Sequence, residues 1–131
     1  MSRVFVDTSA LLTLLDRADP RHVAARTCFF ELADADLVTH GYVVAEALAV
    51  ARRRFGVDGA IALIDDLLPA IDVLVVEPAA HAAAMSRYRD SLPSGTSFVD
   101  QVSLEFMTRE AVDTAFVFDA DFTTVGIHVI P

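Results

Sequence analysis

Five carboxylates in this chain stand in places that solubility alone does not explain. Asp7 closes the apolar run Val4-Phe5-Val6, and Asp119 closes Ala115–Phe118, with Asp121 two residues further on. Each could cap a helix, because an Asp oxygen accepts from free backbone N–H groups there. Glu46 is the only charged side chain in Gly41–Ala51, and its neighbours three and four residues away are Tyr42, Val43, Ala49 and Val50. A lone carboxylate on an apolar helix must lose its charge, pair with a cation, or sit exposed on a face of small residues. Asp100 follows Ser97-Phe98-Val99, a capping-box spacing at a helix start. Phe98, Val99, Val102 and Leu104 around it are apolar, so that helix start is expected to pack against the body and aim Asp100 at a site.

Carboxylates gathered at one point suit hard divalent cations. Mg²⁺ takes oxygen ligands in octahedral geometry and keeps several waters. Two such ions can steady the attacking and leaving oxygens of a phosphodiester, and one ion alone lowers the pKa of a bound water. Without cations the same acids repel one another. Two charges 4 Å apart cost roughly 4 kcal/mol near a protein surface, so four in one place call for counter-charge or protonation.

The elements that would position these acids alternate between strand and helix. Arg3–Asp7 reads as a first strand, followed by a helix over Thr8–Asp16 and a second from near Pro20 to about Ala35. Leu37–Thr39 is a short strand candidate. Gly41 precedes a long helix, Tyr42–Phe55, ended by Gly56, and Asp58 is a plausible cap for Gly59–Leu68 before Pro69. Asp72–Val76 reads as a buried strand. Pro78 opens a helix to about Arg89, Pro93 and Gly95 mark a loop, and a helix spans Phe98 to about Glu110. Thr114–Phe118 and Ile127–Ile130 close the pattern as strands. Strands separated by helices predict an α/β fold, a parallel sheet covered on both faces. In such sheets ligands bind at the carboxyl ends of the strands, where Asp7 and Asp119 are expected.

Composition sets the outer bounds. At 131 residues and 54% hydrophobic, the chain suits one domain with a sizeable core. No uncharged apolar run approaches the ~20 residues that span a bilayer, and Thr8–Leu15, flanked by Asp7 and Asp16, makes a poor signal peptide. The expectation is a cytoplasmic protein without membrane contact. The single Cys28 cannot form an internal disulfide or a Cys-rich zinc site, and its apolar context suggests a buried thiol. Formal net charge is −9, and every basic residue is Arg. Phosphate contacts usually come from basic surfaces, but bound divalent ions would reverse the local field.

The order V-F-V-D-T-S-A-L near the start, V-V-A-E-A-L in a helix, then S-F-V-D-Q-V-S and F-D-A-D-F resembles the PIN-domain nucleases, especially the small VapC-type toxins of bacterial toxin–antitoxin pairs. The resemblance spans essentially the whole chain as one domain. It implies a three-layer α/β/α sandwich with a central parallel sheet, and a Mg²⁺- or Mn²⁺-dependent endoribonuclease acting on structured RNA. It also implies homodimers, and an antitoxin whose C-terminal segment fills the toxin groove. Carried over by position, Asp7, Glu46, Asp100 and Asp119 match the four acids of the family pattern, and Asp121 a further acid found in many members. Thr8 or Ser9 matches the hydroxyl beside the first acid, and Ser97 the one before the third. Gln101 departs from the pattern, in which small residues are commoner, but touches no proposed ligand.

Other features carry less. Arg52-Arg53-Arg54 is the main basic cluster; it suits phosphate or acidic-peptide contact, or a solvated helix end favoured by the macrodipole. Arg87 and Arg89 pose the same choice. His22, His40, His81 and His128 show no ligand spacing and suit surface or capping roles. Phe29-Phe30 and Ala60–Leu68 read as core or interface faces. Rival functions fare worse. A receiver-like signalling domain needs a Lys near the last strands, and the chain has none. A haloacid-dehalogenase-type phosphatase wants D-x-D after the first strand, where this chain has Asp7-Thr8-Ser9. A housekeeping RNA-processing nuclease of the same family, and a non-catalytic module whose acids are only caps, are the alternatives left.

Overall fold

The structure, a computed structural model, describes residues 2–119 and 126–131. Strand β1 (Arg3–Val6) runs through the middle of a five-stranded sheet, and its Val4, Phe5 and Val6 are almost wholly buried. Asp7 ends it and caps α1 (Thr8–Leu15), which is followed by α2 (His22–Glu31). β2 (Asp36–His40) leads directly into α3 (Gly41–Ala62). Gly56 kinks α3 with φ 74 and ψ −163, a backbone that side chains with a Cβ avoid. The predicted break at Gly56 is therefore present, but Asp58 lies two residues inside the second segment and does not begin it. A π turn at Leu63–Leu67 and a 3₁₀ turn at Leu68–Ala70 end the run before β3 (Asp72–Leu74). The helices α4 (Pro78–Ser91) and α5 (Phe98–Arg109) precede β4 (Thr114–Phe116) and β5 (His128–Ile130).

All four strand pairings are parallel, and the order is β3-β2-β1-β4-β5. Helix α1 packs on both α2 and α3, and α4 packs on α5. Right-handed crossovers place the first group on one face, where the chain steps outward from β1 to β3, and the second on the other, where it returns to β4. The three-layer α/β/α sandwich with a central parallel sheet is thus present.

Sheet order corrects one expectation. Asp72–Val76 is not a buried strand: β3 is the sheet's edge, with Val73 half exposed and Val75 74% exposed. The apolar run reflects strand propensity, whereas burial is decided by which strands pair on either side. Phe29 packs against the core as expected, but Phe30 is exposed, as are Ile61 and Ile64 beside the fully buried Leu63. Cys28 is buried, and burial raises its thiol pKa. Gln101 is also buried and donates to the Ser91 hydroxyl, tying α5 to the end of α4.

Candidate active site

The sheet changes direction of winding between β1 and β4, because β2 and β3 continue from β1 on one side and β4 and β5 lie on the other. A crevice opens at the carboxyl ends of such a strand pair, and ligands bind there. Asp7 stands at that point on one side. Its backbone N–H donates to the Phe116 carbonyl at 3.1 Å, the last rung joining it to β4. Past that rung β1 turns into α1, and β4 loses its partner on this side.

Ser9 replaces the missing strand. Its hydroxyl donates to Asp7 Oδ2 at 2.7 Å and accepts from the Phe118 N–H at 2.9 Å. Its backbone N–H donates to the same Asp7 oxygen at 3.0 Å, the helix cap. One side chain thus fixes the first acid and the backbone just before Asp119. The choice between Thr8 and Ser9, open in the sequence, divides by role. Ser9 is the bridging hydroxyl, whereas the Thr8 hydroxyl is buried and has no hydrogen-bond partner among the described residues.

The remaining acids arrive from two helices. Glu46 lies in the second turn of α3, which leaves the carboxyl end of β2, and it is half-buried. Asp100 lies in the first turn of α5. The cap of α5 is Ser97, whose hydroxyl accepts from the Asp100 N–H at 3.1 Å, so Asp100's carboxylate is not needed to begin the helix. Asp121 falls outside the described residues.

The electrostatics show that these acids share one field. Burial raises the Asp7 pKa, bonds from Ser9 oppose the rise, and the charge of Glu46 adds to it. Asp100 is raised to about 6, first by burial, then by the charges of Asp7 and Asp119, with a smaller push from Glu46 and an opposing bond from Ser97. The charges of Asp7, Glu46 and Asp119, carried on separate elements, therefore all reach Asp100. Among the described residues, no three acids, imidazoles or thiols close into a ready-made ion cage.

The residues fit a hard divalent ion by donor chemistry. The side-chain donors described at the crevice, on Asp7, Ser9, Glu46, Asp100 and Asp119, are oxygens, and four of them are carboxylates. An orphaned hydroxyl at Thr8 adds a polar atom beside Asp7.

Beside this site lies a second polar centre that the sequence did not single out. His40 is 0% exposed at the end of β2. Its Nδ1 accepts from the Tyr42 and Val43 N–H groups, capping α3, so its Nε2 carries the proton and donates to Ser103 Oγ at 2.9 Å. Phe5 stacks on the ring, and Phe106 and Tyr42 meet it edge-on. Burial lowers its pKa to about 4. The capping role expected of a histidine is present at His40, but a surface position is not. His81 accompanies it differently, sharing a 2.6 Å hydrogen bond with the Tyr42 hydroxyl. Arg54 reaches Asp16 at 3.5 Å, and Arg52 and Arg53 are exposed.

Comparison with known proteins agrees with the architecture. Residues 4–127 match the PIN domain family. The chain belongs to that family. Over 64 residues it is 44% identical to Ribonuclease VapC26 of Mycobacterium tuberculosis, a match covering 49% of this chain and 47% of that protein. The matched region thus spans about half the length of that relative. The crystal structure of Mycobacterium tuberculosis VapC20, described as a Sarcin-Ricin loop cleaving toxin, superposes with a TM-score of 0.86 at 28% identity. That likeness covers 98% of this chain and 99% of the other. The DNA-bound VapBC of Salmonella typhimurium shares the fold at a TM-score of 0.71 and 12% identity, covering 98% of this chain and 97% of its own. Among the described residues, no helix of this PIN-domain protein is long and apolar enough to cross a membrane.

Proposed function

We propose that this PIN-domain chain is the toxin of a toxin–antitoxin pair, an endoribonuclease dependent on Mg²⁺ or Mn²⁺ that hydrolyses phosphodiester bonds in structured RNA. It acts as one nuclease domain, with Asp7, Glu46, Asp100 and Asp119 as the acids that hold the metal and Asp121 as a further candidate ligand. The observation that carries this reading is Asp100, whose carboxyl is pushed up to about 6 by burial and by the charges of Asp7 and Asp119. Ser97 already caps this helix start, so the Asp100 carboxylate is left available to the site. The likeness to VapC26 and VapC20, one named a ribonuclease and the other a toxin, supports the same chemistry.

When bound, the divalent ion supplies Lewis acidity and a water of lowered pKa at neutral pH. The chain's own residues do the rest. Asp7 is held in one orientation by the Ser9 hydroxyl and N–H. Ser9 also fixes the Phe118 backbone, and so the spacing between the first and fourth acids. The surplus negative charge keeps RNA phosphates away from the crevice until cations neutralise it, which accounts for activity in an acidic chain.

VapBC structures among the fold neighbours support an antitoxin as partner. The half-exposed Val73 and the exposed Val75 on the edge of the sheet suit burial against a second copy in a homodimer. No membrane contact is required by any of this, and a cytoplasmic location fits it.

The test is incubation of the purified chain with total RNA, with and without Mn²⁺, followed by mapping of new 5′ ends. Discrete cuts that need Mn²⁺ are expected. Intact RNA in both arms would overturn the nuclease reading.

A further inference from the structure

Asp119 lies beyond the end of β4, outside regular structure. β4 ends at Phe116, and β5 reaches one residue further, where the Val117 N–H donates to the Ile130 carbonyl at 3.1 Å. Beyond that, the two backbone groups of Phe118 are met by side chains. Its N–H is held by Ser9 Oγ from one side, and its carbonyl accepts from Arg21 Nη1 at 3.0 Å from the other. The guanidinium also lies 5.2 Å from the centre of the Phe118 ring, within cation–π range.

Arg21 is itself held. Asp19 accepts from its backbone N–H at 2.8 Å, from Nε at 3.1 Å and from Nη2 at 3.1 Å. This leaves Nη1 as the end that reaches Phe118. Arg21 stands at the start of α2, before the helix proper, so the brace Asp19–Arg21 belongs to the turn joining α1 to α2. A surface Arg kept only for charge has no reason to be gripped at three points while spanning 97 residues of sequence to one carbonyl.

We propose that Arg21, braced by Asp19, is a positioning residue that fixes where the Asp119 carboxylate stands in the acid cluster. The inference rests on the metal-dependent reading of that cluster. Its sign separates it from a purely electrostatic role. A nearby cation disfavours Mn²⁺, so an Arg21 that only contributed charge would, on removal, let Mn²⁺ bind more tightly. A positioning Arg21 does the opposite, because partners that orient metal ligands are worth about 10- to 100-fold in affinity.

The experiment is calorimetric titration of the full chain with Mn²⁺ alone. Arg21→Gln is expected to weaken Mn²⁺ at least about tenfold while melting near the wild type in the absence of metal. Arg21→Lys keeps the charge but cannot grip Asp19 and Phe118 at once, and recovers only part of the affinity. Asp19→Asn loosens the brace without touching Phe118 and gives a smaller loss of the same sign, so the inference stays testable if Arg21→Gln folds poorly. Binding by Arg21→Gln equal to or tighter than wild type sinks the clamp alone. Unaltered Mn²⁺ affinity with a raised KM for RNA would make Arg21 a phosphate contact and overturn it too. A wild type that binds no Mn²⁺ sinks the reading of the acid cluster, and the clamp with it.

Discussion

β1 and β2 lie side by side, and each hands the chain to a helix through a buried titratable cap, Asp7 for α1 and His40 for α3. Asp7 is 3% exposed and His40 0%. Burial drives both toward neutrality, raising the acid's pKa and lowering the base's. Their surroundings then diverge. His40 has every polar atom satisfied by two backbone N–H groups and the Ser103 hydroxyl, with aromatic rings on its faces. Asp7 has Ser9 on one oxygen and the charge of Glu46 added to its burial. One centre is closed and uncharged. The other faces further acids whose charges oppose its ionisation, which a bound cation would offset. Two neighbouring caps made by the same device thus serve structure in one case and chemistry in the other.

The contrast is broken most sharply at Asp7. Asn retains an N-cap oxygen for α1, so Asp7→Asn removes the charge and spares the fold. RNA cleavage is expected to fall by at least about 100-fold, beyond the usual loss of a group that only orients a ligand. The melting temperature without metal should hold or rise. Cleavage at the wild-type rate would make Asp7 a cap like His40 and dissolve the comparison.

His40→Ala should act on the other quantity. It deletes a cap, orphans the buried Ser103 hydroxyl and leaves a void against Phe5 and Phe106. Together these cost about 3 kcal/mol, a drop of roughly 10 °C in Tm for a chain of this size. Cleavage measured well below that Tm should keep the wild-type order of magnitude. An unchanged Tm with lost cleavage would place His40 in the chemistry, against its closed geometry.

What could be read in the sequence was local. The strand ending at Asp7, the caps at Asp7 and Ser97, and the break at Gly56 each depend on a few adjacent residues. The four acids stood out as candidates by strand-end position, by apolar neighbours, most clearly Glu46 in a helix of small and aliphatic residues, and by resemblance to the PIN family. The rest depends on partners distant along the chain. Strand order put Asp72–Leu74 at the edge, and an apolar run carries no mark of that. The burial of His40 follows from Phe5 and Phe106, far from it in sequence. Ser9 and Thr8 are neighbouring hydroxyls, and only the strand-like approach of Phe118 separates them. Nothing around Arg21 announces a bond to Phe118.

The finest test uses pH, where the two centres have opposite signs. Asp100 in the folded chain holds its proton up to about 6, against an ordinary value of 3.8. Folding therefore strengthens proton binding there, and this group's contribution is greatest below pH 3.8 and lost as pH rises toward 6. His40 in the folded chain binds a proton only near 4, against 6.5 when free. Its contribution is complete above pH 6.5 and is lost as pH falls toward 4. In the wild type without metal, the two slopes oppose each other between pH 4 and 6. Asp100→Asn removes one of them, and Ser97 still caps α5. The variant's Tm should then climb more steeply with pH across that window and exceed the wild type's at pH 7. Adding Mn²⁺ at pH 7 should raise the wild type more than the variant, by mass action on the folded state. A metal-free variant melting below the wild type at pH 7 would assign Asp100 to the helix start, and the crevice would then hold one strained acid fewer than the comparison with His40 requires.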